Sequence, residues 1–106
     1  MTIHKKEQFG KKKQHLAMVA KAISHPARIA ILKILAKKNG CNCSAFVEQM
    51  PLSQSTVSQH LRALKNSGLI VGSSLGTNSI YSLNKINLKK FENEFKKMMK
   101  YMKKKD

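Results

Sequence analysis

The stretch ARIAILKILAKK, residues 27–38, is apolar almost all the way round a helix. Ile29, Ile31, Leu32, Ile34 and Leu35 leave little face for water, and a helix of that kind belongs in the middle of a core. The rest of a 106-residue chain must wrap around it. That length suits one domain with a small core, so residues 1–106 read as a single unit. Pro26 fits the first turn of this helix, where its missing N–H costs nothing, and Ser24 or His25 would cap it. Asn39-Gly40 ends it, with Gly40 free to take the left-handed conformation.

The flanking segments supply the wrapping. Residues 7–23 read as a first helix with Phe9, Leu16, Val19, Ala20 and Ile23 on one apolar face. Gly10 weakens its start, and residues 1–8 read as a basic, flexible N-terminus. A short third helix over 44–50 turns Phe46, Val47 and Met50 inward, and Pro51 stops it. Ser53 caps a fourth helix that runs to about Asn66 and is closed by Gly68. Val57, Leu61 and Leu64 give it one buried stripe at i, i+4, i+7. LIVGSS and SIYSLN flank LGTN and read as a β-hairpin around Gly76. Ile70 and Leu75 face inward on its first strand, Ile80 and Leu83 on its second, with Tyr81 opposite. Over residues 88–105 a last helix carries Leu88, Phe91, Phe95, Met98 and Met102 at steps of three and four, a heptad-like seam. The predicted class is mainly α with a small β-hairpin (α+β), in the order α-α-α-α-β-β-α. The seam has two places to go, its own domain or a partner subunit; with the first helix also showing an apolar face, Leu16 and Val19 included, a homodimer is the expectation.

Charge narrows the partners. The net charge is +16, from 21 basic and 5 acidic residues. Nucleic acid and an anionic membrane surface both fit that balance. Ten of the basic residues lie in 1–40, two in 41–84 (Arg62 and Lys65) and nine in 85–106. The plain reading is solvated lysine faces that keep a small protein soluble. A field this strong still attracts polyanions non-specifically, with steep salt dependence. The 42% hydrophobic content argues against a disordered polyelectrolyte. No apolar run approaches the ~20 residues that span a bilayer. No long apolar stretch follows the basic N-terminus, which argues against a secretory signal. The default compartment is the cytoplasm, where both cysteines stay reduced. No acidic residue pairs with a histidine in an identifiable motif, and a Gly-rich phosphate loop is absent, so an enzyme is not expected.

A short helix, a turn, a polar helix and a hairpin is the order of a winged helix-turn-helix, whose second helix enters the major groove. That helix needs one apolar face and one face of short hydrogen-bonding side chains. The fourth helix has both. Gln54, Ser55, Thr56, Ser58, Gln59 and Arg62 point away from the stripe, and no acidic residue occurs from Ser53 to Leu64. Gln pairs bidentately with adenine, Arg with guanine, and Ser or Thr with base edges or phosphate. Ser and Thr are poorer helix formers than the Glu and Lys of an ordinary solvated face, so helicity alone does not explain the choice. The competing reading is an amphipathic surface helix that is merely polar outside.

ISHPARIAILKIL, then SQSTVSQHLRALKNSGLI, then GTNSIYSLN resemble the ArsR/SmtB family of bacterial winged-helix repressors over roughly residues 16–84. The resemblance implies a homodimer, joined through the first and last helices, that represses transcription and releases double-stranded DNA when a metal ion or another chemical signal binds. It places Ser55, Thr56, Ser58, Gln59, His60 and Arg62 on or beside the DNA-facing helix; Ser53, Gln54, Lys65, Thr77 and Asn78 complete the candidate interface. One departure stands out. The family wing often carries Arg or Lys near its tip, and GSSLGTNS has none. Lys5, Lys6, Lys11, Lys12 and Lys13 would then supply the missing phosphate contacts.

Cys41 and Cys43 form C-x-C. The pair reads in three ways: two small buried residues, a site for a thiophilic metal or metalloid ion such as As(III), Cd(II) or Zn(II), or a thiol redox sensor. Their polar neighbours Asn42 and Ser44 do not look like a core pattern. Residues two apart on a helix diverge by ~200°, so joint ligation needs an irregular segment. Some family members carry C-x-C near this place, but a third ligand is usual and no third cysteine exists. His25 reads as a cap, His60 lies on the reading helix, His4 and His15 sit in or near the basic N-terminus, and the last helix has no histidine. The alternative function is a winged-helix protein-interaction module with weak, sequence-independent DNA affinity.

Overall fold

The computed structural model describes residues 8–75 and 78–104. In chain order the elements are α1 (Lys11–Ala22), α2 (Pro26–Lys37), α3 (Cys43–Gln49), α4 (Gln54–Asn66), β1 (Ile70–Leu75), β2 (Asn78–Leu83) and α5 (Lys85–Lys103). Five helices and one antiparallel hairpin match the order the sequence predicts.

Ile31 and Leu35 of α2 are fully buried. They join Val19 of α1, Phe46 of α3, and Val57, Leu61 and Leu64 of α4 in one cluster, closed by Leu69 and Ile70. Ile29 departs from the all-round expectation and is exposed. A protomer this small cannot surround a helix completely.

Local chemistry sets the helix ends. His25 Nδ1 accepts the Ala27 N–H at 3.2 Å, Asn42 Oδ1 the Ala45 N–H at 3.0 Å, and Ser53 Oγ the Thr56 N–H at 3.3 Å. Asn84 does the same for Asn87, which starts α5 three residues before Leu88. Gly10 is the cap residue of α1, so Phe9 lies outside the helix and, like Ala20, is exposed rather than part of its apolar face. Gly40 and Gly68 take φ of 84° and 85°, the left-handed region, where α2 and α4 end. At Gly68 a Cβ would also sit 2.8 Å from Asn87 Nδ2, which donates to the Gly68 carbonyl at 3.0 Å.

In the hairpin Ile70 pairs with Leu83 and Gly72 with Tyr81. Tyr81 and Leu83 pack on the core. Side chains alternate along a strand, so Ile80 takes the other face, near Gly40. The expected placement of Ile80 inward and Tyr81 outward is reversed. The side chain of Leu75 and the tip residues Gly76 and Thr77 lie outside the described residues.

α1 packs on α5, while α4 packs on α2, α3 and β1. The residues expected at a dimer interface divide. Val19 is sealed in the protomer's own core, and Leu88 and Phe91 pack half-buried on it. Leu88 and Phe91 of α5 cover the protomer's own core first, and Val19 of α1 is part of that core. Phe95, Met98 and Met102 are 41%, 37% and 63% exposed. Half-buried Leu16 lines a recess between α1 and α5 with Met98, Tyr101 and Met102. Among the described residues, no helix is long and apolar enough to cross a membrane.

Candidate nucleic-acid interface

Val57, Leu61 and Leu64 fix α4 by one face, which leaves the opposite face open. Ser53, Gln54, Ser55, Gln59, Arg62 and Lys65 are exposed there. The first five, with half-buried Ser58, line a shallow recess free of carboxylates. Ser53 Oγ lies 3.2 Å from Ser55 Oγ and donates to Thr56 Oγ1 at 3.0 Å, so these hydroxyls also stabilise the helix start. Asn78 is exposed at the start of β2. Thr77 lies outside the described residues. Lys65 brings a cation to the hairpin, its Nζ lying close to Gly72 of β1.

His60 does not belong to this face. It is buried, 4.5 Å centroid to centroid from His25, and its Nδ1 accepts from Arg28 Nε at 3.2 Å. Arg28 also donates to the Ala22 carbonyl at 3.1 Å, so it ties the end of α1 through α2 to α4. Burial, then the His25 and Arg28 charges, hold the His60 pKa below its usual value. The spacing carries the signal: Val57, His60, Leu61 and Leu64 complete an i, i+3, i+4, i+7 face. Arg28 has no such signal, because its partner is 32 residues away.

The two cysteines have different surroundings. Cys41 is buried, contrary to the polar look of its neighbours. Its backbone forms an isolated antiparallel bridge with Tyr81, N–H to O at 3.0 Å and O to N–H at 2.8 Å, and its thiol donates to the Lys38 carbonyl at 2.9 Å. Cys43 opens α3 half-buried, with Sγ 3.6 Å from Ser58 Oγ and 4.0 Å from the Gln54 carbonyl. The pair therefore straddles a helix start. Among the described residues no three or more His, Cys, Asp or Glu side chains converge where they could hold a metal ion. A closed tetrahedral site needs four donors, so the described residues do not fit one. Lys11 and Lys12 of α1 line a recess with Lys90 and Glu94 of α5, and Lys5 and Lys6 lie outside the described residues.

Comparison with known proteins adds independent support. The family model for "Bacterial regulatory protein, arsR family" matches residues 25–71. An uncharacterized HTH-type transcriptional regulator of Methanocaldococcus jannaschii is 31% identical over 70 residues, covering 66% of this chain and 79% of the relative. The arsenical resistance operon repressor of Staphylococcus xylosus is 31% identical over 71 residues, covering 67% of each. An ArsR-like transcriptional regulator from a Rhodococcus species superposes with a TM-score of 0.76 at 24% identity, over 88% of this chain and 87% of that one. A homodimeric winged helix-turn-helix DNA-binding domain from Mycobacterium bovis gives 0.68 at 25% identity, over 87% and 82%.

Proposed function

The chain belongs to the ArsR family of bacterial regulatory proteins, and from there we propose that it is a homodimeric repressor that reads its operator with the exposed face of α4. The observation that carries this reading is the composition of that face: Gln54, Ser55, Gln59 and Arg62 stand open, without a carboxylate, on a helix fixed by three buried aliphatic residues. Gln59 and Arg62 are the base-reading candidates, since amide and guanidinium groups match adenine and guanine bidentately. In this reading exposed Ser53, Ser55, Lys65 and Asn78 meet phosphate. The cytoplasm is the proposed compartment.

The second protomer covers Phe95, Met98 and Met102 in this reading, joined by Leu16 at the recess between α1 and α5. The input of a chemical signal is assigned to Cys43, because its sulfur touches Ser58 on the reading helix. Added bulk there presses on α4. Cys41 is a core residue in this scheme. A thiophilic ion would find only these two thiols among the described residues, fewer donors than a closed site needs.

A reporter gene behind the chain's own upstream region tests the function. Expression of the wild type silences it, and Gln59→Ala with Arg62→Ala restores it. Equal reporter output with and without the protein contradicts repression of that region.

A further inference from the structure

The charge of this protein is not where the reading helix is. α4 carries Arg62 and Lys65, whereas α5 carries seven lysines in nineteen residues. At ~100° per residue, the lysines of α5 fall within an arc of about 140°, on the side opposite the seam of Leu88, Phe91, Phe95, Met98 and Met102. Burying that seam against the protomer core and a second copy leaves the lysine arc in water. The two acidic side chains of α5 flank the arc. Glu92 pairs with Lys89 at 3.2 Å and Lys96 at 3.4 Å, and Glu94 with Lys97 at 3.6 Å. Among the described residues, Lys85, Lys90, Lys100 and Lys103 have no carboxylate partner. α1 adds to the same field, since Lys11 and Lys12 meet Lys90 at one recess. Lys85 and Lys89, or Lys96 and Lys100, repel at i, i+4, whereas Lys100 and Lys103 lie in the last turn, where the helix dipole favours cations.

We propose that this lysine face of α5, with the start of α1, is a second contact surface for double-stranded DNA, so that one dimer grips two DNA segments. It rests on the reading above for the first segment and for the dimer that covers the seam. The second segment is held by charge alone. The match is electrostatic: α5 spans ~28 Å at 1.5 Å per residue, and a duplex presents one negative charge per ~1.7 Å of axis. Every cation of this face is a lysine, a point charge without the planar fork that reads bases. One exposed aromatic, Tyr101, stands at the edge of the arc, short of the run of stacking platforms that a single strand needs. A membrane-surface helix needs its apolar face free, and that face is the seam turned to the core and the partner.

The test is a bridging assay with the full chain. The chain's own upstream duplex is fixed on beads, and capture of a labelled duplex of unrelated sequence is measured. The expected result is capture by the wild type and at least a ten-fold loss with Lys90→Gln, Lys100→Gln, Lys103→Gln combined, while binding to the fixed duplex is retained. The salt slope of unrelated-duplex binding should become shallower by roughly 2–3, at about 0.9 for each phosphate that a lysine no longer neutralises. Gln59→Ala with Arg62→Ala separates the two readings: it abolishes preference for the upstream duplex and leaves the salt-dependent binding of any duplex in place. Undiminished capture and an unchanged slope in the triple lysine variant overturn the proposal. So does binding of anionic phosphatidylserine vesicles by a wild type that captures no second duplex.

Discussion

The sulfur of Cys43 lies 3.6 Å from the hydroxyl oxygen of Ser58, which joins the first turn of α3 to the helix proposed to read DNA. Alkylation with iodoacetamide forms a thioether at the thiolate and releases iodide. At Cys43 the added group has to displace Ser58 or the backbone of Gln54. DNA affinity of the wild type should then fall at least ten-fold, as read by fluorescence anisotropy, and Cys43→Ser should bind normally and resist the reagent. Loss of equal size in Cys43→Ser would assign the effect to Cys41 or to another group.

His60 gives a pH dependence whose sign follows from its surroundings. Its folded-state pKa is lowered by burial and then by His25 and Arg28, the charged or titratable groups that act on it. The unfolded chain therefore binds the proton more readily below the ordinary value of 6.5. The neutral form's stability is fully present above that value. It is lost as the pH falls through 6.5 and on past the folded-state pKa. The urea midpoint should drop between pH 7.5 and pH 5, and His60→Gln should show a flatter profile. Identical profiles would remove His60 from the account.

Met98→Glu with Met102→Glu places carboxylates on the exposed end of the seam without touching the core. The dimer should weaken at least ten-fold in analytical ultracentrifugation, while circular dichroism stays that of the wild type. Unpaired charge at an interface is the costly outcome here. An unchanged dimer would move the interface elsewhere.

Gly68→Ala tests the turn that aims the hairpin. The left-handed φ costs an L-residue about 1–2 kcal/mol, and the methyl would meet Asn87 at 2.8 Å. Denaturant unfolding should show a loss of that size or more. Asn87→Ala in the same background should recover only the steric part.

What is legible in the sequence is local. Pro26, Ser53, Gly40 and Gly68 mark helix ends by their own backbone chemistry, and Val57, Leu61 and Leu64 mark a face by spacing. Pairings across the fold are not legible. Cys41 is a core residue because its backbone bridges Tyr81, forty residues on, and nothing around Asn42 and Ser44 announces it. The family resemblance puts His60 on or beside the DNA-facing helix, and only its spacing with Val57, Leu61 and Leu64 marks it as inward. The seam is visible as a pattern. Its division into Leu88 and Phe91 on the protomer, and Phe95, Met98 and Met102 left open, depends on where α5 crosses the core.

The central claim is that α4 reads sequence rather than only charge. Fluorescence anisotropy of the reduced protein tests it directly, on its own upstream duplex and on a scrambled duplex of equal composition near physiological salt. The account predicts a preference of about 10³-fold or more, the range of sequence-specific regulators. Equal, weak and steeply salt-dependent binding to both duplexes would contradict it, and would leave a winged helix that holds DNA by lysine charge alone.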